Sequence, residues 1–452
     1  MKNSTIRLAV ALGSVALLGA TAACSDYLKV TNPNSVSVSK LGDSTDATLI
    51  VNGAIGEFQS MWANTALYGA LFTDEIANQH VNTSYIQLDQ RQVTSQLDLV
   101  SLTYSPIQRA RFDGDTVANR LIGYEGATKA ATDVRVARML AFSAYSYIML
   151  GETFCNAPIY GSKAYSPAEL FAQAQPKLDS ALAIAKAAKA AGVNTASADS
   201  IANLALVGRA RVALDLGDWQ NAITYASQVT PGFDFRVYYA EGIPTTPGLP
   251  VNPFWNATGS PQPTTAPNGT TVSNGYSYAA GALYFGVDTT FQNLNDPRVP
   301  TTTTRVKAMN ANMIIVPSKP KSFGGYVAPS ASKPQGQPMT PGASMRVASY
   351  EEAQYIIAEA HQGDAVTLAF VNQERAANGL APSTATTPDE ILADLRDQRR
   401  REFYLDGHRL GDLRRYITQY HADYFPTGTN YGTATCFPIP ISETNSNPNV
   451  NG

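Results

Sequence analysis

The sequence predicts a mostly α-helical protein in which helical hairpins stack as a solenoid and carry a loop-rich lobe, with few short strands. Apolar residues recur at helical spacing in the first half of the chain and again near its end. Between these parts, residues 231–341 are dense in Pro, Gly, Thr, Ser and Asn and show few helical patterns. A chain of 452 residues can bury a large core, or two lobes, without disulfides or metals.

The N-terminus has the pattern of a secretory signal peptide. Two basic residues, Lys2 and Arg7, precede an apolar run over residues 8–18, and small residues follow up to position 23. The run is shorter than the roughly 20 apolar residues that a membrane-spanning helix requires. We therefore predict that residues 1–23 are a signal peptide that directs the protein to secretion.

Cys24 directly follows the signal, at the place where bacterial lipoproteins carry their acylated cysteine. We interpret it as a lipidation site; the alternative is a signal peptide that ends near a free thiol. Each buried methylene contributes about 0.8 kcal/mol, so several acyl chains on one cysteine anchor a protein stably to a membrane. The polar residues 24–45, which include Asn32 and Pro33, would then form the lipidated N-terminus and a tether.

Charge and composition argue against one class of partner. The chain contains 15% charged residues and has a formal net charge of −3, so no global field would attract phosphates. We therefore expect no nucleic-acid partner. Tyr (23) and Phe (16) outnumber Trp (3), and this composition suits uncharged polar ligands.

Residues 46–230 form the predicted helical scaffold. Apolar periodicity predicts helices over residues 46–62, 106–122 and 133–150. The last of these is apolar around most of its circumference, which is typical of a buried helix.

A capping box begins the fourth predicted helix. Ser166 is the N-cap, Pro167 occupies the first helical position and Glu169 the third, and the Ala-rich stretch that follows ends at Gly192. After it, residues 197–230 contain LGDWQNAITYASQV, which matches the second half of a tetratricopeptide hairpin. Such a hairpin occupies about 34 residues and stacks on its neighbours.

Residues 231–345 form the predicted loop-rich lobe, inserted into the helical scaffold. Its aromatic residues argue against simple disorder, and loops carried on a rigid scaffold commonly hold the function. Residues 346–452 are predicted to be a C-terminal helical part that closes the scaffold. A second, weaker hairpin is expected there, over residues 349–360 and 364–379.

Charged residues recur three positions apart near the C-terminus, which makes them neighbours wherever the chain is helical. A capped helix is predicted to begin at Thr387 and to be interrupted at Gly407. The charges could be solvated surface pairs worth under about 1 kcal/mol each. We prefer a partly buried network in which arginine forks staple the helix end to the body. Its members are Arg399, Glu402, Asp406, Arg409, Asp412 and Arg415.

The same segment resembles the SusD/RagB family of nutrient-uptake outer-membrane lipoproteins. The family positions are filled by Arg399, Arg400, Glu402, Asp406, Gly407, Arg409, Asp412, Leu413, Arg414 and Arg415. Asp406 stands where Glu is usual, and Leu410 with Gly411 replaces a pair of aromatic residues. CSDYLKVTNPN, GETFCNAPIY and FPIPISETNSNPN resemble the family's lipidated start, its fGdvP-like segment and its closing Pro-Ile-Pro motif.

The resemblance implies a solenoid of tetratricopeptide-like hairpins that supports a ligand-binding lobe. It also implies an outer-membrane lipoprotein that faces the cell exterior and captures a nutrient, usually an oligo- or polysaccharide. Its partner would be a TonB-dependent, SusC-like transporter, over which the lipoprotein sits as a lid. Two alternatives remain open. One is a tetratricopeptide-like scaffolding lipoprotein that binds a protein, and the other is a glycoside hydrolase.

A sugar-binding site requires flat aromatic side chains beside hydrogen-bonding groups. Each aromatic candidate has the alternative role of a core residue. The candidates are Trp62 and Tyr68 beside Asp74, Asn78 and Gln79, and Trp255, Tyr276, Tyr278 and Tyr284 in the lobe.

We predict no catalytic residues, cofactor or metal ligands, and therefore not an enzyme. The four histidines form no HExxH, and the sequence has no GxSxG or Gly-rich phosphate loop. A glycosidase needs two carboxyl groups about 5 to 9.5 Å apart, whereas the adjacent Asp74 and Glu75 would diverge. Cys155 and Cys436 either form a disulfide or are two buried free thiols, and they lack the ligand spacing of a zinc site.

Overall fold

The computed structural model describes residues 44–79, 81–239, 285–305, 313–317 and 344–450. The chain divides into two units, residues 1–48 and 49–452. The described part of the first unit consists of a short 3-10 helix, Ser44–Asp46, and the first residues of the following α-helix. Every contact discussed below lies within the second unit.

Thirteen α-helices dominate the described residues, so the prediction of a mostly α-helical fold is confirmed. The first eight are α1 (Ala47–Phe72), α2 (Thr83–Asp89), α3 (Asp98–Glu125), α4 (Ala127–Ala130), α5 (Val134–Thr153), α6 (Pro167–Ala190), α7 (Thr195–Asp215) and α8 (Trp219–Ala226). The other five are α9 (Tyr350–Ala360), α10 (Ala365–Ala377), α11 (Pro388–Glu402), α12 (Arg409–Tyr420) and α13 (Ile441–Ser446). None of these described helices combines the length and the apolar character needed to cross a membrane.

The central helices pack in chain order, which is the arrangement of a solenoid. Helix α3 packs on α5, and α5 to α9 then follow one another as successive neighbours. The predicted hairpin corresponds to α7 and α8, joined at Gly217, whose φ of 72° lies in the left-handed region that glycine favours. Helices α6 and α7 approach closely at Gly208, because this residue has no side chain. A Cβ atom there would lie 2.9 Å from Cδ2 of Leu178.

Helix α5 is the centre of the core. Every residue from Ala141 to Thr153 is buried, as its apolar circumference predicts. The predicted capping boxes at Ser166 and Thr387 are both present and begin α6 and α11.

The end of one helix and the start of another differ from the sequence prediction. Helix α1 continues ten residues beyond Trp62, to Phe72. Helix α3 begins at Asp98, eight residues before the predicted start, so Pro106 lies inside the helix. A helix can continue through proline when its tertiary packing compensates for the lost backbone hydrogen bond.

Eight short strands form four antiparallel pairs among the described residues. The pairs are β1 (Ile76–Asn78) with β5 (Phe285–Val287), β2 (Ala157–Pro158) with β3 (Ala164–Tyr165), β4 (Asp234–Val237) with β8 (Met345–Ser349), and β6 (Thr301–Arg305) with β7 (Met313–Pro317). Strands β4 and β8 lie at the two ends of the segment that was predicted to form the lobe. The chain therefore leaves the helical scaffold and returns to it through adjacent strands.

Candidate functional site

A sharp turn separates α11 from α12, where the sequence predicted an interruption at Gly407. Leu405 and Gly407 have φ angles of 65° and 93°. The turn lies directly against α1, since a Cβ atom at Gly407 would be 3.2 Å from Cβ of Ala66. This geometry brings the charged residues of α11 and α12 together in the interior.

All six predicted network residues are buried, each at most 6% exposed. Asp412 accepts from Nε of Arg399 and from Nη2 of Arg415, both at 2.8 Å. Arg415 also binds Glu359 of α9 through two hydrogen bonds of 2.9 and 3.0 Å, and Asp215 of α7 at 3.0 Å. One guanidinium thus connects three helices.

The rest of the network binds partners that are distant in the chain. Arg409 donates to both carboxylate oxygens of Asp74, at 2.6 and 2.7 Å. Arg346 of β8 pairs with Glu402 and Asp406, each at 3.1 Å. We refer to the network residues and these partners as the ionic frame. Its members are Asp74, Asp215, Arg346, Glu359, Arg399, Glu402, Asp406, Arg409, Asp412 and Arg415.

Helical spacing therefore predicts that the six network residues are charged neighbours, but it does not predict which residue each of them pairs with. The three-residue spacing holds for Asp412 with Arg415, whereas Arg409 pairs with Asp74 instead of Asp406 or Asp412. Asp406 lies in the turn between α11 and α12, outside the helical register, and the tertiary fold brings Asp74 to Arg409 instead. Sequence reasoning also missed Arg346, because a single arginine near a strand has no local pattern that indicates its partner.

His408 adds a further positive charge to the interior. Its Nδ1 lies 2.6 Å from Oδ1 of Asp406, and its Nε2 lies 3.1 Å from Oε1 of Glu352. Burial lowers the pKa of His408, but Asp406 and Glu352 outweigh that effect and raise the pKa to about 9. The imidazole is therefore protonated at neutral pH and stabilises the carboxylates around it.

Asp74 and Glu75 are adjacent but have different surroundings. Asp74 is paired with Arg409, whereas burial raises the pKa of Glu75 to about 8. Oε1 of Glu75 accepts from the backbone N–H of Leu405 at 2.7 Å. Both carboxyl groups are buried, so neither is placed to flank a glycosidic bond.

Cys155 and Cys436 form a disulfide, which is one of the two alternatives that the sequence left open. Backbone hydrogen bonds of 2.9 Å flank it, from Cys155 N to Phe437 O and from Phe437 N to Thr153 O. The rings of Phe154 and Phe437 pack edge to face beside it at 5.7 Å. The bond therefore holds the C-terminal segment against the end of α5.

A pocket of about 390 Å³ opens where α5, α6, α7 and α12 meet, a volume within the range of small-molecule sites. Arg414 lines it and donates to the carbonyl oxygens of Gly151 and Phe154 at 2.8 and 3.0 Å. Burial lowers the pKa of Arg414 to about 10, and burial together with Glu152 raises the pKa of Asp215 well above its usual range. The pocket thus presents both hydrogen-bond donors and acceptors.

Three predicted ligand-binding residues of the scaffold prove to be structural, which corrects the sequence assignment. Trp62 is fully buried and donates from Nε1 to the carbonyl oxygen of Arg346 at 3.1 Å. Tyr68 is 4% exposed, and Asp74 belongs to the ionic frame. The reason is that α1 extends to Phe72, so both rings lie on a buried helix.

The other predicted site residues are either half-buried or outside the described residues. Asn78 and Gln79 are half-buried, and the backbone N–H of Asn78 donates to Asp89 at 3.3 Å. The described residues contain no group of three or more His, Cys, Asp or Glu positioned to hold a metal ion. The predicted residues that lie outside the described part are Cys24, Trp255, Tyr276, Tyr278 and Tyr284.

Comparison with known proteins identifies the class of this fold. A SusD superfamily protein from Bacteroides vulgatus ATCC 8482 matches with a TM-score of 0.60 and 14% identity, over 90% of this chain and 98% of that chain. A laminarin-binding SusD-like protein matches with a TM-score of 0.61 and 16% identity, over 90% and 98%. Surface glycan-binding protein A from Bacteroides uniformis matches with a TM-score of 0.59 and 15% identity, over 88% and 98%. The chain therefore has the helical SusD-like fold.

The sequence agrees with the structural comparison. Residues 350–451, which contain α9 to α13 and most of the ionic frame, match the model of the SusD family. No curated protein sequence matches the chain significantly. The chain thus matches the SusD family over residues 350–451 and shares the SusD-like fold over most of its length.

Proposed function

We propose that this protein is an outer-membrane lipoprotein, facing the cell exterior, that captures an oligo- or polysaccharide and delivers it to a TonB-dependent transporter. The main support is the fold that it shares, over 90% of its length, with a protein described as laminarin-binding. A second protein of the same fold is described as a surface glycan-binding protein. Binding would require no catalytic group and no cofactor.

The ionic frame supports this proposal because it holds β8, the strand at which the segment predicted to form the lobe ends. Strand β8 ends the segment predicted to form the lobe, and Arg346 in β8 is bound to Glu402 and Asp406. The indole of Trp62 donates to the backbone of the same Arg346. A rigid base lowers the ordering cost that loops pay when they bind a ligand.

A binding screen tests the nutrient role. The chain from Ser25 onward is applied to a glycan array, and hits are measured by isothermal titration calorimetry. We expect binding of at least one oligo- or polysaccharide, weakened by Trp255→Ala or Tyr276→Ala. Tyr424→Ala is the matched control, because Tyr424 is 43% exposed and lies in the C-terminal helical part, outside the predicted lobe. The nutrient role is contradicted if no glycan, peptide or related nutrient binds.

Fractionation of cells tests the membrane anchor. Cys24→Ala should release the protein from membranes, whereas Ser25→Ala should leave it there. An unchanged membrane fraction for Cys24→Ala would exclude the lipid anchor. Co-purification of wild type with a TonB-dependent transporter from outer membranes tests the delivery step.

The stacked hairpins favour one competing function, that of a scaffold for another protein. Helices α7 and α8 form such a hairpin, and α9 packs on α8. Recovery of a protein partner by a chain that binds no glycan would favour this alternative.

A further inference from the structure

The turn between β2 and β3 holds a tyrosine in a backbone conformation that large side chains rarely adopt. Ser162 N donates to Ile159 O at 3.1 Å, and the two central residues, Tyr160 and Gly161, have φ angles of 53° and 71°. Two positive φ angles define a type I′ turn, whose central positions favour Asn, Asp and Gly. A strained residue that its surroundings hold in place is a pointer to function.

Buried polar groups hold the Tyr160 ring from below. Its hydroxyl donates to Oδ2 of Asp115 at 2.9 Å, and the guanidinium carbon of Arg111 lies 4.3 Å from the ring centroid. Arg111 and Asp115 are 4% and 7% exposed. Asp115 in turn accepts from Ser143 at 2.6 Å and pairs with Lys177. One face of the ring is therefore covered, and the ring position is fixed.

The other side of the ring is open to solvent and has a second aromatic neighbour. Tyr160 is 63% exposed, and Phe112 of α3 is 47% exposed. The ring centroids of Tyr160 and Phe112 lie 6.2 Å apart, with 65° between the ring planes. We refer to these two residues as the aromatic corner, an angled apolar surface on a rigid support.

Polar groups border the aromatic corner. The amide of Asn449, an exposed residue, donates to the carbonyl oxygen of Gly161 at 2.8 Å. Lys163, in the same turn, has a side chain that is 63% exposed. Arg109 lies three residues before Phe112 on α3, on the same helix face, and its side chain is 56% exposed. Hydrogen-bonding side chains thus surround the two rings.

We propose that the aromatic corner, which belongs to the helical scaffold, binds one sugar ring of a glycan; this inference rests on the proposed function. The C–H face of a pyranose stacks on the open face of Tyr160, and its hydroxyl groups reach the polar border. The strained turn presents the ring outward.

The size of the corner favours a sugar over a protein partner. Two half-exposed aromatic side chains offer on the order of 200 Å² of surface. A stable protein interface buries about 800 Å² per partner. A single sugar ring matches the smaller area.

Calorimetry with the full chain in detergent tests the inference. The probes are four soluble polysaccharides: laminarin, xylan, galactomannan and dextran. Tyr160→Asn removes the ring but supplies a residue that the turn favours, so the fold is retained. Tyr160→Phe keeps the ring and removes the hydroxyl. Tyr424→Asn is the matched control, because it removes another exposed tyrosine, one that lies outside the predicted lobe. Thermal melting checks that each variant is folded.

We expect Tyr160→Asn and Phe112→Ala each to weaken binding about 3- to 10-fold for the polysaccharides that wild type binds. Tyr160→Phe and Tyr424→Asn should bind as wild type does. If Tyr160→Asn binds every polysaccharide with unchanged affinity, the inference is overturned and the proposed function stands. If Tyr160→Asn keeps its glycan affinity but no longer co-purifies with a transporter, the aromatic corner is a protein-docking surface and the inference of a sugar site is overturned. If wild type binds none of the four probes and no glycan on the array, the proposed function itself fails, and the inference fails with it.

Discussion

In both the ionic frame and the aromatic corner, an arginine guanidinium packs on an aromatic ring. The ring is buried in the frame and exposed to solvent in the corner. In the frame, the guanidinium of Arg346 lies 4.9 Å from the ring centroid of Phe403, and this ring is 2% exposed. In the corner, Arg111 lies 4.3 Å from the ring of Tyr160, which is 63% exposed. A ring covered on both faces contributes only to stability, whereas a ring covered on one face remains available for a ligand. Substitutions in the frame should therefore affect stability, and substitutions in the corner should affect binding.

The largest effect is expected at Arg415. Arg415→Gln leaves Glu359, Asp412 and Asp215 without their shared cation, and breaking a buried pair in this way costs about 3–5 kcal/mol. Urea denaturation measures the loss in the free energy of unfolding. Arg109→Gln is the control, since it removes an exposed pair with Glu57 that is worth under about 1 kcal/mol. Equal losses in both variants would remove the distinction between the frame and the surface.

Loss of the disulfide should have the next largest effect, because the bond joins two cysteines that are 281 positions apart and so constrains the unfolded chain. The double variant Cys155→Ala and Cys436→Ala should lose about 2–5 kcal/mol of unfolding free energy. Thermal melting with and without a reductant measures it. The reductant should lower the melting temperature of wild type and leave that of the double variant unchanged. A wild type that is insensitive to reductant would contradict the prediction.

A pH-dependent effect is expected at Glu75, which is buried beside the frame. Its pKa of about 8 in the folded protein lies above the ordinary value of 4.5, so the folded state retains a proton that the unfolded chain releases. The contribution of Glu75 to stability is therefore present below pH 4.5 and is lost as the pH rises toward 8. Glu75→Gln cannot ionise, so its free energy of unfolding relative to wild type should increase across this window, by up to about 1.4 kcal/mol per pH unit.

Urea midpoints at pH 5 and pH 8 check the change at Glu75. Glu57→Gln, which removes a carboxyl group that is 35% exposed, is the control for the substitution itself. A constant difference between Glu75→Gln and wild type across the window would contradict burial of a neutral acid.

The smallest change in stability is expected in the aromatic corner. Tyr160→Asn loses the contacts of the ring with Arg111 and Asp115 but relieves the positive φ angle. These two effects oppose each other, so the net change in unfolding free energy should stay within about 1 kcal/mol. Thermal melting measures it. A loss as large as that of Arg415→Gln would place Tyr160 among the structural residues.

The sequence predicts helices and caps well because their signals are local. The boxes at Ser166 and Thr387 and the buried circumference of α5 depend on residues within a few turns of one another. Six residues of the ionic frame were also recognisable, since their charges repeat at a fixed spacing in the sequence. Asp74 and Arg346 were not recognisable, because only the tertiary fold brings them to α11 and α12.

The aromatic candidates show the same limit. Trp62 and Tyr68 have the composition expected of a sugar platform, but burial is decided by how far α1 continues and what packs on it. Tyr160 had no distinctive local signal, and its exposure becomes visible only with the turn geometry. Residue type alone therefore does not predict whether an aromatic side chain is buried or exposed.

The cysteine pair has one more consequence. The two cysteines are 281 positions apart, and the segment predicted to form the lobe lies between them. A protease that hydrolyses one peptide bond in this closed ring produces two ends but no separate fragment. Nicked molecules would migrate on a denaturing gel as one species and would separate into two pieces only after thiol treatment. Cleavage of a single peptide bond in the segment would thus leave the two pieces joined by the disulfide.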